Sequence, residues 1–379
     1  MNYQNPRRII SGSRRIVVKL GTRVLTTDDN TLNMDVVNSI CSQLATFIGK
    51  GKQFIIVSSG AIALGLSRLG FDKRPSEINL LQAAAAVGQN WLMQAYESAF
   101  QSSKIETAQI LITKEDIQSR RRYINIRNTI FTLLDFGVVP VVNENDTVSF
   151  SEIRFGDNDL ISAYLSIMID ADLLLILTDT DGVYESDPKR SEDVKKIDII
   201  SRITKEIKKL ASGKGSRFSS GGMESKLKAS EIATRGGVGV LIANGKDLDL
   251  KAVFDGKSVG TFCLPFDKKI SGKKKWIGFN PKVDGIIVVD EGGERAIVEK
   301  NKSLLPVGII KVEGNFKIGD NVSIRNTRGE EIARGLTNFS SDELKLIMGK
   351  NTKMIPEILN CESYFEEVVH RDNMVVLVE

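Results

Sequence analysis

The chain has 379 residues, which is enough for two or three domains at roughly 150 residues per domain. Its 52 basic and 48 acidic residues give a net charge of +4, a balance that does not demand nucleic acid as a partner. Apolar residues make up 41% of the chain, so it can bury sizeable cores, and this excludes a disordered or fibrous protein.

The cysteines, the histidine and the apolar runs limit the chemistry and the cellular location. Three widely separated cysteines exclude a CxxC metal site and a disulfide framework. The single histidine, His370, lies near the C-terminus, so a multi-histidine metal site is excluded and histidine-based catalysis would depend on this one residue. No apolar run reaches the roughly 18 residues of a membrane span, and the basic N-terminus lacks the apolar core of a secretory signal. We therefore expect a cytoplasmic protein with no membrane partner.

Up to about residue 265, short apolar runs alternate with amphipathic helical patterns. The predicted strands are residues 16–20, 54–57, 109–112, 138–142, 173–177 and 238–243, and the predicted helices are residues 34–48, 77–100, 157–169 and 223–234. Strands rich in Val, Ile and Leu that are separated by helices predict an α/β domain with a mainly parallel sheet sandwiched by helices. We place this domain at residues 16–265, after a basic N-terminal arm at residues 1–15 that we expect to be a flexible tail.

The last third of the chain has a different pattern of composition and predicted elements. Residues 266–281 are basic and rich in Gly and Pro, without a helical period, and we interpret them as a linker. Strand-like runs then follow closely, at residues 285–289, 296–299, 308–313, 321–325, 364–369 and 374–378. Such closely spaced strands predict a small β-rich domain at residues 282–379.

Polar motifs follow several of the predicted strands, and the carboxyl ends of strands are where α/β sheets bind ligands. The first strand runs into the motif KLGT, in which Gly21 lets the backbone approach an anion and Lys19 supplies a compact positive charge. The motif SSGA around Ser59 precedes a helix, whose free N–H groups can bind an anion. A simple helix cap is the alternative interpretation of Ser59.

Carboxylates and amides crowd two consecutive loops, in the motifs NEND (143–146) and GDND (156–159). Such carboxylates repel one another unless a cation, an ammonium group or a lysine compensates them. Turn chemistry alone is the alternative for GDND. The next strand ends in the motif TDTDG (178–182), which suits the edge of a nucleotide pocket.

A last motif, SSGGMESK (219–226), places two glycines before a helix with Lys226 near its first turn. Backbone amides, the helix dipole and an ammonium group together form a polyphosphate site. Two lysines and glycine-rich strand ends, without histidine, indicate phosphoryl transfer by charge stabilisation. A carboxylate acceptor fits well because its pKa of about 4.3 leaves it ionised at pH 7, with no need for a general base.

In their order along the chain, these motifs resemble those of the glutamate 5-kinases of the amino-acid kinase family. The matching stretches are VVKLGT, SSGAIALG, LLQAAAAVGQ, PVVNENDTV, FGDNDLISA, LLILTDTDGVY and SGGMESKLKA. The stretch EKNKSLLPVGIIKV (299–312) and the GNF that follows resemble the C-terminal PUA domain of the long form of these enzymes. The resemblance therefore covers the chain apart from its N-terminal arm. The family usually has Gly-Thr before GGM, where this chain has Ser219 and Ser220.

The resemblance implies ATP-dependent phosphorylation of the γ-carboxylate of L-glutamate, the first step of proline synthesis, with Mg²⁺ as a further cofactor. It implies that Lys19 and Lys226 contact the phosphates catalytically and that Asp159 orients these lysines. The implied ATP-binding residues are Lys19, Thr178, Asp179, Ser220, Gly221, Gly222, Met223, Glu224, Ser225 and Lys226. The implied glutamate-binding residues are Ser59, Asp146 and Asn158, with the Asp146 carboxylate suited to the substrate ammonium, while the metal ligands stay unassigned. Feedback inhibition by proline and a homo-oligomer, a dimer or a tetramer, are implied as well.

Two alternatives stay open at this point. A sibling kinase of the family would phosphorylate aspartate, N-acetylglutamate or a nucleoside monophosphate, and an N-acetylated substrate has no ammonium for Asp146 to bind. The other alternative is RNA binding through the PUA-like domain. Residues 281–379 contain 13 Lys/Arg and 17 Asp/Glu, a net charge of −4, which is unlike the electrostatic footprint of RNA binding. We therefore expect no nucleic-acid partner.

Overall fold

The computed structural model describes residues 5–27, 29, 31–148, 157–186, 194–211, 222–266, 272–280, 282–360 and 365–378. The chain forms two compact units, Met1–Lys268 and Lys269–Glu379. None of the described helices combines the length and the apolar character needed to cross a bilayer.

The first unit contains ten strands and eleven helices among its described residues. The strands are β1 (Arg15–Leu20), β2 (Gln53–Ser58), β3 (Thr107–Ile112), β4 (Val139–Glu144), β5 (Leu173–Thr178), β6 (Val183–Tyr184), β7 (Lys196–Ile197), β8 (Ile199–Ile200), β9 (Gly239–Asn244) and β10 (Thr261–Cys263). The helices are α1 (Pro6–Gly12), α2 (Thr22–Leu25), α3 (Met34–Ile48), α4 (Ala61–Arg68), α5 (Ile78–Gln101), α6 (Lys114–Gln118), α7 (Arg120–Asp135), α8 (Asp157–Met168), α9 (Lys205–Ala211), α10 (Met223–Arg235) and α11 (Leu250–Phe254).

Eight of these strands form one sheet in the order β3-β4-β2-β1-β5-β9-β10-β8. All neighbours in it are parallel except β9 and β10, which are antiparallel. Every residue of β5 is buried. Its Leu173, Leu175 and Leu177 share one hydrophobic core with residues of α3 and α5, and α8, which packs on α10, also contacts this strand. The predicted α/β fold with a mainly parallel sheet between helices is confirmed.

Helices α4 and α5 approach each other through two glycines, Gly65 and Gly88. A Cβ atom on Gly88 would lie 1.8 Å from the carbonyl oxygen of Ala61, and one on Gly65 would lie 1.8 Å from that of Ala84. Neither glycine has a positive φ, so close packing and not backbone conformation requires glycine here. The contact also fixes the start of α4, which directly follows Ser59 and Gly60.

We expect the Gly88→Ala substitution to separate α4 from α5. The methyl group has no space against the Ala61 carbonyl, and such overpacking costs about 3 kcal/mol. The midpoint of thermal unfolding of the first unit, followed by circular dichroism, should fall by about 6–12 °C. Gly12→Ala is the matched control, because a Cβ there meets no atom within 4 Å. Equal midpoints for the two variants would contradict the packing argument.

The second unit is built on a five-stranded sheet in the order β12-β11-β13-β14-β15. Its strands are β11 (Gly285–Val289), β12 (Ile309–Gly314), β13 (Asn321–Arg325), β14 (Glu331–Leu336) and β15 (Met374–Val376), and its helices are α12 (Gly272–Phe279), α13 (Glu291–Val298), α14 (Ser341–Ile347) and α15 (Ile355–Leu359). Three short 3₁₀ helices complete it, at Pro306–Gly308, Thr352–Met354 and Arg371–Asn373. Strands β11 and β13 are parallel, and the other neighbours are antiparallel. The predicted small β-rich C-terminal domain is confirmed.

Two strand predictions in the second unit were wrong. Residues 296–299 lie at the end of α13 and not in a strand, because the Asp290 side chain caps this helix by accepting a hydrogen bond from the Gly293 N–H at 2.7 Å. The described part of the predicted strand 364–369 makes only an isolated bridge, between Val369 and Leu304. Strand β14 was missed.

Two segments expected to lack regular structure contain helices. In the N-terminal arm, expected to be a flexible tail, Asn5 caps α1, Pro6 occupies its first turn and Ile10 is buried in the core. Within the predicted linker, residues 272–279 form α12, whose Ile277 is fully buried. Buried apolar side chains attach each short helix to its unit, Ile10 in α1 and Ile277 with Phe279 in α12.

Candidate active site

The carboxyl ends of three adjacent strands define the candidate site. In the sheet β1 lies between β2 and β5, and its last residue, Leu20, pairs with Ser58 on one side and with Leu177 on the other. The side chain of Lys19 therefore emerges close to the loops that follow β2 and β5. A Cβ atom on Gly21 would lie 3.7 Å from the Lys19 Nζ and 3.4 Å from the Leu177 carbonyl oxygen, so glycine leaves space beside this ammonium group.

The structure brings Lys19, Asp159 and Lys226 together. Asp159, in the first turn of α8, has Oδ1 at 2.7 Å from the Lys19 Nζ and Oδ2 at 3.6 Å from the Lys226 Nζ. The Ser225 hydroxyl donates to the same Oδ2 at 2.6 Å. The Asp159 side chain is 1% exposed and those of the two lysines 7% and 8%, so all three charged groups lie in an environment with little water. We call these three residues the lysine–aspartate cluster.

Burial and charge act in opposite directions on the cluster. Burial alone would raise the pKa of the Asp159 carboxyl, but the charges of Lys19 and Lys226 and the hydrogen bonds from Lys19 and Ser225 outweigh it and lower the pKa below its ordinary value. Burial lowers the pKa of the Lys226 ammonium, an effect that the charge of Asp159 opposes and that of Lys19 reinforces. Asp159 is therefore an anion at neutral pH. It compensates two ammonium groups that would otherwise repel each other.

A chain of hydrogen-bonded amide side chains extends from the start of α8 into the first unit. The Asn158 Nδ2 lies 3.1 Å from the Ser59 Oγ and 3.0 Å from the Asn143 Oδ1. The Asn143 Nδ2 in turn donates to the Gln89 Oε1 at 2.8 Å. Ser59 and Asn158, both predicted as substrate-binding residues, are thus in direct contact, although they are 99 positions apart in sequence.

Asp146 lies in the turn that follows β4 and is half-buried. Burial lowers the pKa of the Arg74 guanidinium, and the nearby charge of Asp146 opposes that shift. Arg74, in the segment between α4 and α5, was not among the predicted site residues.

The predicted nucleotide-contacting residues at the end of β5 lie beside the cluster. The Thr178 Oγ1 donates to the Asp179 Oδ1 at 3.1 Å, and Arg23 from α2 forms an ion pair with the Asp179 Oδ2 at 3.1 Å. Burial would raise the pKa of the Asp179 carboxyl, but the hydrogen bonds from Arg23, Thr178 and the backbone lower it. The charge of Asp179 also acts on Lys226, so this end of β5 belongs to the same electrostatic environment.

Helix α10 begins where the glycine motif predicts a helix. Gly222 is its N-cap residue, and Met223, Glu224, Ser225 and Lys226 form its first turn. The predicted nucleotide-binding residues Ser220 and Gly221 lie outside the described residues. Ser225 and Lys226 of this first turn both contact Asp159 at the start of α8, so the N-terminus of α10 lies beside the cluster, an arrangement that attracts anions.

Besides Arg74, three residues of this neighbourhood were missed by sequence reasoning. Arg23 lies one residue beyond the KLGT motif, and Asn143 opens the NEND motif without having been selected from it. Gln89 is a polar residue in an Ala-rich helix and is only 8% exposed. A buried glutamine of this kind must find partners, and that was the signal available in the sequence.

The described residues contain no group of three or more His, Cys, Asp or Glu side chains that could hold a metal ion. What the site offers is two buried ammonium groups, a helix N-terminus and small residues at strand ends. Ammonium groups and helix N-termini both bind the oxygens of a phosphate chain. The chemistry that this geometry favours is the binding and transfer of a phosphoryl group.

The comparisons with known proteins agree with this class of site. A family model described as the amino acid kinase family matches residues 14–244, and a model described as the PUA domain matches residues 285–359. The chain belongs to the amino acid kinase family.

Relatives that match along almost their whole length show which members of the family the chain resembles. Proteins named "Glutamate 5-kinase" from Thermoanaerobacter sp. (strain X514) and Geobacter sulfurreducens are 43% and 46% identical over 96% and 97% of this chain, and the matches cover 98% and 99% of those proteins. The protein of that name from Moorella thermoacetica is 43% identical over 100% of both chains. The predicted resemblance to the glutamate 5-kinases is confirmed.

Proposed function

We propose that this chain transfers the terminal phosphoryl group of ATP to the γ-carboxylate of L-glutamate, forming L-glutamyl 5-phosphate as the first step of proline biosynthesis. The observation that carries the proposal is the lysine–aspartate cluster, in which the Lys19 and Lys226 ammonium groups meet the buried Asp159 carboxylate. The similarity to relatives named "Glutamate 5-kinase" over their full length supports the substrate.

The reaction needs electrostatic stabilisation and positioning, not acid–base catalysis. A γ-carboxylate oxygen of glutamate attacks the γ-phosphorus of ATP, the bond to the β,γ-bridging oxygen breaks, and its electron pair leaves on ADP. No proton is transferred, because the attacking carboxylate is ionised at neutral pH. Lys19 and Lys226 stabilise the charge on the transferred group and on the leaving oxygen, while Asp159 acts as a positioning residue for both.

On the substrate side, we assign glutamate to the edge formed by Ser59, Asn158 and Asp146. The Asp146 carboxylate suits the α-ammonium group, and the N–H groups at the start of α4 suit a carboxylate. The contact between Ser59 and Asn158 supports this assignment, because it joins the loop after β2 to the start of α8. Asp146 enters the assignment from the motif resemblance.

On the nucleotide side, we assign ATP to Thr178, Asp179 and the first turn of α10. The residues assigned to it are Lys19, Thr178, Asp179, Gly222, Met223, Glu224, Ser225 and Lys226, with Ser220 and Gly221 added from the sequence alone. The helix N-terminus and two ammonium groups provide the charge that a triphosphate requires.

The proposal includes Mg²⁺, bound together with ATP. Within the described part of the chain no carboxylate cluster could hold the ion by itself, and the Asp159 and Asp179 carboxylates are paired with Lys and Arg side chains. Phosphate oxygens are the ligands that Mg²⁺ takes in kinase sites, where it neutralises part of their charge.

The same proposal includes regulation, assembly and location. Feedback inhibition by proline and a homo-oligomer of two or four subunits follow from the resemblance to the glutamate 5-kinases. The cytoplasmic location rests on the cysteine pattern and on the absence of an apolar span or secretory signal in the sequence. The borders assigned to the kinase domain, residues 16–265, and to the PUA-like domain, residues 282–379, rest on the change of sequence pattern at the basic linker.

The experiment that tests the function is hydroxamate trapping of the acyl phosphate. The full chain is incubated with ATP, Mg²⁺ and hydroxylamine, together with glutamate, aspartate or N-acetylglutamate. We expect hydroxamate from glutamate and none above background from the other two. Hydroxamate from N-acetylglutamate at a comparable rate, or from none of the three acids, would refute the proposed substrate.

A further inference from the structure

A relay of four amide side chains lies behind the proposed glutamate edge. It begins at Gln109 on β3, whose Oε1 accepts from the Gln89 Nε2 of α5 at 3.1 Å. The Gln89 Oε1 accepts from the Asn143 Nδ2 of β4 at 2.8 Å, and the Asn143 Oδ1 accepts from the Asn158 Nδ2 of α8 at 3.0 Å. Gln89 and Asn143 are 8% and 1% exposed, so the middle of this amide relay is shielded from water.

The direction of the amide relay is fixed by a backbone group. The Glu144 N–H donates to the Asn143 Oδ1 at 2.8 Å, and a backbone N–H can only donate. The atom of Asn143 at this position is therefore the oxygen, and its Nδ2 must face Gln89. The Gln89 Oε1 accepts from that Nδ2, and the Gln89 Nε2 donates to the Gln109 Oε1.

The relay decides which atom of Asn158 remains unsatisfied. The Asn158 Nδ2 is used twice, toward the Asn143 Oδ1 and toward the Ser59 Oγ at 3.1 Å. The Asn158 Oδ1 is buried, and no donor of the described residues reaches it. A buried acceptor without a donor is unfavourable, and a ligand that brings an N–H group removes that cost. At the glutamate edge, the substrate group of this kind is the α-ammonium.

We propose that Gln89, which lies outside the ligand contacts, is the positioning residue that makes the site select amino acids with a free ammonium group. The Glu144 N–H sets the orientation of the Asn143 amide, and Gln89 secures it by accepting from the buried Asn143 Nδ2. Asn143 in turn makes Asn158 present its oxygen and not its NH₂ group. An Asn158 with the opposite orientation would point two donors at the ammonium and repel it. The inference rests on the proposed function and adds the origin of its substrate selectivity.

The test is the Gln89→Met substitution, which keeps the side-chain length and removes both hydrogen-bonding groups. Glutamate is the substrate, and glutarate, which lacks only the amino group, is the competitive inhibitor. We expect the KM for glutamate to rise about tenfold, while the Ki for glutarate and the KM for ATP stay within about twofold of wild type. Gln94→Met is the matched control, since Gln94 lies exposed on the same helix, and it should change none of these constants.

Two further variants separate positioning from packing. Gln89→Glu keeps an accepting oxygen for the Asn143 Nδ2, so its KM for glutamate should return to within about threefold of wild type. Gln109→Met changes the exposed end of the amide relay and should raise the KM for glutamate by about threefold without changing the Ki for glutarate. It provides the same comparison if Gln89→Met does not fold.

Parallel changes in the glutamate and glutarate constants, or no change in either, would overturn the role assigned to Gln89. That result is distinguishable from failure of the proposed function. If the wild-type chain forms no hydroxamate from glutamate, both the function and the inference are wrong. If the wild type is active but the variants keep the preference for glutamate over glutarate, only the inference is wrong.

Discussion

The Asp159→Asn variant is expected to lose about 10³-fold in kcat while remaining folded. The substitution preserves the shape of the side chain but removes the negative charge that lies 2.7 Å from the Lys19 Nζ and 3.6 Å from the Lys226 Nζ. Without this charge the two ammonium groups repel each other in a buried site. The pKa of Lys226 also falls further, because in the wild-type chain the charge of Asp159 opposes that fall. The rate is measured as ADP release at saturating ATP and glutamate.

The control for this variant is Asp342→Asn, the same change at a side chain that is 87% exposed in the second unit. It should leave kcat unchanged. Thermal unfolding shows whether Asp159→Asn is folded, because breaking a buried ion pair costs about 3–5 kcal/mol. A folded Asp159→Asn variant with wild-type kcat would show that the cluster is structural and not catalytic.

The Lys226→Met variant should lose kcat to a similar extent, about 10³-fold. A methionine keeps the buried, unbranched shape of this 8% exposed side chain but brings no charge to the transferred phosphoryl group. Lys228→Met, at an exposed position of the same helix, is the matched control and should retain full activity. If the two variants behave alike, Lys226 does not act on the reacting phosphate.

The pH profile gives an independent test of the same lysine. The ammonium form of Lys226 is the active one, so activity is lost as the pH rises through its pKa. Burial lowers that pKa from the ordinary value of 10.5, so the alkaline fall in kcat should be centred below pH 10.5. The residual activity of Lys226→Met should lack this fall. An unchanged alkaline fall in that variant would assign it to another group.

Much of the kinase fold was predictable because its sheet is buried on both faces. Continuous runs of Val, Ile and Leu mark β1, β2, β4, β5 and β9, and the observed ends of these strands differ from the predicted ends by at most two residues. The helices α3 and α10 begin at the predicted residues, since an Asn cap and a glycine pair mark their starts. Strong local signals therefore determined this part of the architecture.

The second unit was predicted less well because its elements are short and lie partly at the surface. Strand β14, with the sequence EIARGL, has no continuous apolar run, and it includes Gly335, where a Cβ would lie 2.3 Å from the Val369 side chain. That requirement comes from a neighbour distant in sequence, which no local pattern contains. The run at residues 296–299 is apolar enough for a strand, but it continues the helix that Asp290 caps six residues earlier.

The site shows the same division. Motifs located Lys19, Asp159 and Lys226, because strand ends and glycine pairs can be recognised locally. They did not locate Gln89, which contributes through a hydrogen bond to Asn143, 54 positions further along the chain. Arg23 was missed for a similar reason, since its partner Asp179 is 156 positions away. Residues that act through a second side chain leave little trace in a single sequence.

The order in which the lysine–aspartate cluster is encoded has a consequence for biosynthesis. Lys19, Asp159 and Lys226 lie in β1, α8 and α10, and a ribosome makes these elements in that order. Until α10 has been synthesised, Asp159 can pair only with Lys19 within the cluster. The second cation arrives with α10, while β9, α11 and β10 are still to follow. The cluster is therefore one of the later parts of the first unit that translation can complete.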